Sequence, residues 1–224
     1  MDVVSIDDLL EAIYGKVDDL DEIRKKLVTE GSLSERGWKA LYTANKDSYL
    51  PADSPLPEGE AFKGLATIFD QCRHAASSFS PSEPMVELTV HGHTNTSTNV
   101  PNKISPDATI HLTETSLSWP RKGAEIDHAD VCMYMEFKKR DNNTNFNDVS
   151  NGCTLSRVAA HPPRKDANEL VWNMYHRFSS DPRCRFVCGL TIENTTARLW
   201  HFSRAAVMVS EPFDVIEVGY LSSF

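Results

Sequence analysis

Glu136 and Lys138 stand two residues apart at the end of an apolar run, in the stretch MYMEFKKRD at 133–141. On a β-strand that spacing puts both side chains on one face. A second acid, in Pro106-Asp107, stands at the mouth of an earlier apolar segment, ATIHLTET at 108–115. If the two segments pair as a hairpin, Asp107 comes beside Glu136 and Lys138. Two carboxylates and a lysine suit a hard divalent cation, because Mg²⁺ (or Mn²⁺) prefers oxygen ligands, takes one or two carboxylates and keeps water for the rest. Asp107 and Glu136 would then be the metal ligands. The ion would lower the pKa of a bound water and stabilise charge on a scissile phosphate. Lys138 would orient that water or neutralise the transition state, and the Phe137 carbonyl would be a further ligand. The blander account makes Asp107 a turn cap and Glu136–Lys138 an exposed ion pair worth ~0–1 kcal/mol.

The elements around these residues follow from hydrophobic period. Ile6, Leu9, Ile13, Val17, Leu20, Ile23 and Leu27 recur at helical spacing, with Ser5 as cap, Asp8 as its capping-box partner and Gly31-Ser32 as the stop. LSERGWKALYTANK reads as a second helix, and LPADSPLPEGE as a break. This divides the chain into an acidic helical segment 1–50, a Pro-rich linker 51–59 and an α/β domain 60–224. A further helix carries Phe62, Leu65, Ala66, Phe69, Cys72, Ala76 and Phe79 on one face. Strands are expected at 85–92, 108–115 and 130–138, a helix at 164–180, and a hairpin over 183–192 and 197–202. One more strand is expected at 206–210. In the 164–180 helix Leu170, Val171, Met174, Tyr175 and Phe178 read as the buried stripe. The order predicts an α/β (α+β) fold, with a mixed central sheet and helices on its faces.

Pro106-Asp107, the 28 residues 108–135 and Glu136-x-Lys138, set on the second and third strands of this order, resemble the PD-(D/E)xK nuclease superfamily. The resemblance covers roughly residues 60–192. It implies an αβββαβ core, here with an extra C-terminal hairpin and N-terminal helices. It also implies Asp107, Glu136 and Lys138 as catalytic residues. That family often adds an acid on the first core helix, where Glu60 or Asp70 could stand.

A second resemblance lies in DPRCRFVCGLTIENTTARLWHFSRAAVMVSEPFDVI at 181–216. Its Asp-Pro-Arg, Arg-Phe-Val, Gly-Leu-Thr-Ile, Arg-Leu-Trp and Ser-Glu-Pro-Phe blocks are similar to the region preceding the kinase lobes in the fungal-type protein kinase family. The resemblance implies that the kinase lobes would begin near Phe224. A kinase needs a Gly-rich phosphate loop, an His-Arg-Asp loop and an Asp-Phe-Gly metal site. The sequence contains no G-x-G-x-x-G, H-R-D or D-F-G, so no ATP site is expected in it. The reading is therefore a nuclease-like recognition or regulatory module. Its alternatives are an active Mg²⁺-dependent nuclease and an interaction domain.

Charge bears on the partners. Residues 1–60 hold 14 acids and 7 bases, whereas 121–204 hold 13 bases and 10 acids. The chain's net charge of −9 argues against a dedicated nucleic-acid binder, but Arg183, Arg185, Arg198 and Arg204 could make a local basic face. The amphipathic N-terminal helices suit a protein partner, and their acidic face disfavours a membrane. Five cysteines without a C-x-x-C pair or a secretory signal point to an intracellular, reducing setting. His91-x-His93 on a strand end is a weak zinc pair, lacking other ligands nearby in sequence.

Overall fold

The structure, a computed structural model, describes residues 2–16, 19–34, 37–39, 58–79, 86–91, 106–113, 128–139 and 165–215. The chain begins with β1 (Asp2–Val4), α1 (Ile6–Tyr14), α2 (Leu20–Thr29) and a small hairpin of β2 (Leu33–Ser34) with β3 (Gly37–Trp38). Next come α3 (Glu58–Ala61), α4 (Gly64–Ser77), β4 (Val86–Val90) and β5 (Ala108–Leu112). A 3₁₀ turn (His128–Asp130) leads into β6 (Val131–Lys138), followed by α5 (Lys165–Ser180). The last elements are β7 (Phe186–Glu193), β8 (Thr196–Ser203), β9 (Val207–Ser210) and β10 (Phe213–Asp214).

These strands form one mixed sheet in the order β1-β9-β8-β7-β6-β5-β4, with β10 also pairing β8. β4, β5 and β6 run antiparallel as a meander, with Ala108 opposite Met135. β6 and β7 are parallel, which requires a crossover, and α5 lies between them in the chain. β7, β8 and β9 form a second antiparallel meander, joined through Asn194, whose φ of 57° suits an asparagine in a tight turn. The expected α/β architecture with a mixed sheet is therefore what the chain adopts.

The sheet is covered on both faces. On one, Leu170 and Met174 of α5 pack against Tyr134, Val187, Trp200, Phe202 and Val209. On the other, Ala61 and Phe62 pack against Ala108, Met135, Phe137, Ile192 and Ala197. The Phe62 and Phe137 rings stack with centroids 4.6 Å apart. Alternation along β6 thus sends Phe137 to one core and Glu136 to the other.

Several elements differ from expectation for identifiable reasons. The N-terminal helix breaks in two at Gly15, which takes φ 68° and ends α1. The Ser5 cap is present, its side chain accepting the Asp8 N–H at 3.0 Å. Gly31 at φ 73° ends α2 with the paired bonds Gly31 N–H to Val28 O and Ser32 N–H to Leu27 O. The stretch after it opens with the β2–β3 hairpin rather than a helix. Leu33 pairs with Trp38 there, and both pack on Leu27, Ala75 and Cys72. Residues 40–57, which include most of the Pro-rich segment, lie outside the described residues.

The helix read from Phe62 onward is two pieces. Its buried residues are Phe62, Gly64, Ile68 and Ala75, while Phe79 is 39% exposed. β1 was not expected at all. It pairs in parallel with β9, and Glu211 N–H donates to Val4 O at 2.8 Å, so the N-terminal segment contributes a strand to the main sheet.

Candidate functional site

The meander places the sequence-derived residues together. Asp107 sits in the bend at the mouth of β5, half-buried, and its Oδ2 accepts the N–H of Phe137 at 2.7 Å. Its own carbonyl accepts the His91 N–H at 2.8 Å, tying the ends of β4 and β5. Because Phe137 lies between Glu136 and Lys138, this bond fixes Asp107 against the Glu-x-Lys strand. Glu136 is 2% exposed, and a side-chain hydrogen bond links it to Asp107.

The electrostatics follow from that burial. Desolvation first, then the negative charges of Asp107 and Glu169, push the Glu136 carboxyl up to about 9. Lys138 opposes them and draws it down. A buried acid beside other acids resists ionisation until positive charge arrives. Lys138 follows Glu136 by two and so shares its face. In register beside Lys138 on β7 is Glu193, 8% exposed.

The second face of the site comes from α5. The expected stripe is rotated: Leu170 and Met174 are buried as anticipated, but Val171 and Tyr175 are 47% and 60% exposed. Asn173 takes the place facing the sheet. It is fully buried, and its Nδ2 donates to Glu136 Oε1 at 2.8 Å. Gly189 on β7 allows the helix to sit so low. A Cβ there would lie 2.5 Å from Met174 Cε and 2.9 Å from Leu170 Cδ2. Asn173, Glu169 and Glu193 were missed in the sequence. The available signal was Asn173 itself, an amide set between two apolar stripe positions, with Glu169 one helical turn before it.

Other expected participants lie elsewhere. Glu60 pairs with Lys63 at 2.6 Å and Asp70 with Arg73 at 3.6 Å, both along the helix surface. His91 is buried, and its Nε2 is 2.8 Å from Thr109 Oγ1. Its intended partner His93 lies outside the described residues. Among the described residues no three His, Cys, Asp or Glu side chains converge as metal ligands. The site is thus a carboxylate pair with oxygen-bearing neighbours. Asp107 and Glu136 are the residues here that could hold a hard cation, which prefers oxygen donors.

Three of the four arginines, Arg183, Arg185 and Arg204, line one groove, and Arg198 is not among its lining residues. Arg204 stacks over Phe178 at 5.2 Å and donates to the carbonyls of Phe178, Pro182 and Cys184. Arg198 donates to Ser210 O, and Arg183 pairs with Asp181 at 3.1 Å. That groove, open and of about 550 Å³, also includes Ser203 and Ala205. Cys188 is a buried thiol within bonding reach of the Tyr14 hydroxyl at 3.7 Å.

Residues 128–219 match the model of the fungal protein kinase family. The similarity to that family is confined to this segment, which is less than half of the chain. The fungal protein kinase match begins at the turn before β6 and runs past β10, so it includes Glu136, Lys138, Asn173 and Glu193. Asp107 precedes it. No curated protein and no solved structure matches the chain. No helix among the described residues is long and apolar enough to cross a membrane.

Proposed function

We propose that the chain is a nuclease-like recognition or regulatory module of the fungal protein kinase family, whose Asp107–Glu136 pair takes a divalent cation, Mg²⁺ or Mn²⁺. The observation that carries this reading is the contact between those two carboxylates, made across neighbouring strands. Those strands belong to a helix–three strands–helix–strand order, from α4 to β7. The absence of G-x-G-x-x-G, H-R-D and D-F-G from the sequence argues against protein phosphorylation by these residues. The free thiols Cys72, Cys132, Cys184 and Cys188 support a reducing, intracellular setting. The acidic first turns of α1 and α2 suit a basic protein partner.

Calorimetric titration with Mn²⁺ and Mg²⁺ tests the reading. Wild type is expected to bind one ion and Asp107→Ala to lose it. Absence of binding to wild type sinks the cation site and leaves an interaction domain. ATP is expected to produce no thermal shift.

A second reading, metal-dependent cleavage of DNA or RNA, is favoured by Lys138, which shares the Glu136 face and acts on its charge. The bound cation would supply an acidified water and charge neutralisation at phosphate. Asp107 and Glu136 would hold it, and Lys138 would position the nucleophile or meet developing negative charge. Cleavage in Mg²⁺ or Mn²⁺ that disappears in Lys138→Ala and in Asp107→Ala supports this reading. Equal cleavage by all three proteins excludes it.

A further inference from the structure

Asn173 is an amide built into the carboxylate site. It belongs to α5, is fully buried, and donates through Nδ2 to Glu136 Oε1 at 2.8 Å. The other half of the same amide is idle: Asn173 Oδ1 is buried and has no hydrogen-bond partner. A buried carbonyl oxygen left unpaired costs roughly 1–3 kcal/mol, so such an atom is normally matched to something. The Glu136 side chain that the amide contacts is in turn acted on by Asp107 and Glu169, so the amide adjoins a group of carboxyl oxygens. Amide oxygens are ordinary ligands for hard cations and add no charge to the site.

The position is not an accident of loose packing. Leu170 and Met174 flank Asn173 and rest on Gly189, where a Cβ would collide with both. The helix is therefore held at a distance that only glycine at position 189 permits, and the amide is carried down to β6. An apolar residue of similar size would fill the same space without leaving an orphan oxygen. The Nδ2 bond to Glu136 accounts for one half of the amide, and Oδ1 is the half left over for a ligand.

We infer that Asn173, through Oδ1, is a further oxygen ligand of the cation held by Asp107 and Glu136, so that α5 and the sheet close the site together. This rests on the proposed cation site. The Asn173 amide thereby does two jobs: Nδ2 holds Glu136 in place, and Oδ1 completes the donor set.

The test is Mn²⁺ titration by calorimetry on the full chain, with thermal unfolding without metal as a second readout. Asn173→Leu, close in shape but without the oxygen, is expected to bind Mn²⁺ at least about tenfold more weakly, the scale seen for groups that complete metal sites. Its metal-free thermal midpoint is expected to fall, because Glu136 Oε1 loses its Nδ2 donor. Its loss of affinity is expected to exceed that of Asn173→Asp, which lacks the same donor but keeps the oxygen. Asn173→Asp, which keeps the oxygen, is expected to bind at least as tightly as wild type. Wild-type affinity in Asn173→Leu, with binding abolished in Asp107→Ala, overturns the inference while leaving the carboxylate site intact. Should Asn173→Leu not fold, Asn173→Asp decides: a tenfold loss of affinity in it overturns the inference. Absence of Mn²⁺ binding in wild type overturns both the inference and the site beneath it.

Discussion

Glu136 is the residue whose chemistry most depends on where the fold puts it. Its carboxyl ionises near 4.5 in the open chain but only near 9 when folded. The folded protein therefore holds the proton more tightly, and the stability this contributes is complete below about pH 4.5. That stability is lost as pH rises toward 9. His91 has the opposite sign: burial, then the neighbouring His111, lowers it from 6.5 to about 4. Its contribution is present above about pH 6.5 and lost as pH falls to about 4, so a slope above pH 6.5 reports Glu136 rather than His91. Urea unfolding of the metal-free protein should show a midpoint that declines from pH 6.5 to 9. Glu136→Gln should remove most of that decline, and an unchanged slope in the variant would show that another group carries it. At this scale the sequence was informative for Asp107, Glu136 and Lys138, because short spacing on paired strands translates directly into proximity. Asn173 stayed hidden because its partner is 37 positions away in the chain and on another element.

Elements set the rest of the site by how closely they approach. The seat of α5 on β7 depends on Gly189, where any side chain must displace the ends of Leu170 and Met174. Gly189→Val is expected to cost about 1–3 kcal/mol through overpacking and to loosen the Asn173–Glu136 bond. Denaturant unfolding measures the first effect. Weakened Mn²⁺ binding beyond that seen in an equally destabilised core variant measures the second. Helix ends follow local rules more simply. Gly31 ends α2 at φ 73° with open space around it, so Gly31→Ala should cost about 1 kcal/mol from backbone strain alone. A full-strength α2 in that variant, judged by unchanged unfolding, would contradict this account. The existence and type of the long elements were readable from period and caps. The rotation of α5 was not, since Val171 and Tyr175 fit an apolar stripe as well as Leu170 and Met174 do.

In the whole molecule the sheet joins distant parts of the chain. Residues 2–4 pair with 208–210, and the Glu211 N–H to Val4 O bond continues the ladder. Removing residues 2–4 should cost roughly 1–3 kcal/mol from the lost edge pairing while leaving the β6–β7 centre folded. Hydrogen exchange checks this. Amides of β9 should exchange faster in the shortened chain, with those of β6 and β7 unchanged. Loss of protection throughout would make β1 a requirement for the sheet rather than an edge of it. The match to the fungal protein kinase family, at 128–219, covers the half of the sheet that holds Glu136 but not the strand that Asp107 precedes. The candidate site therefore straddles the boundary of the matched segment.

By itself the sequence determined the order of elements from α4 to β8, the Ser5 cap, the Gly31 stop and the nearness of Asp107 to Glu136. All of these follow from side-chain period, backbone preference or the geometry of adjacent strands. The tertiary structure alone decided that β1 closes against β9, that the N-terminal helix breaks at Gly15, and that α5 turns Asn173 toward the sheet. Such outcomes depend on which surfaces can approach each other, and the approach is set by residues far apart in the chain, such as Gly189 and Asn173. The pair first visible as Glu136 and Lys138 on one strand is, in the folded molecule, a buried acid held from two sides.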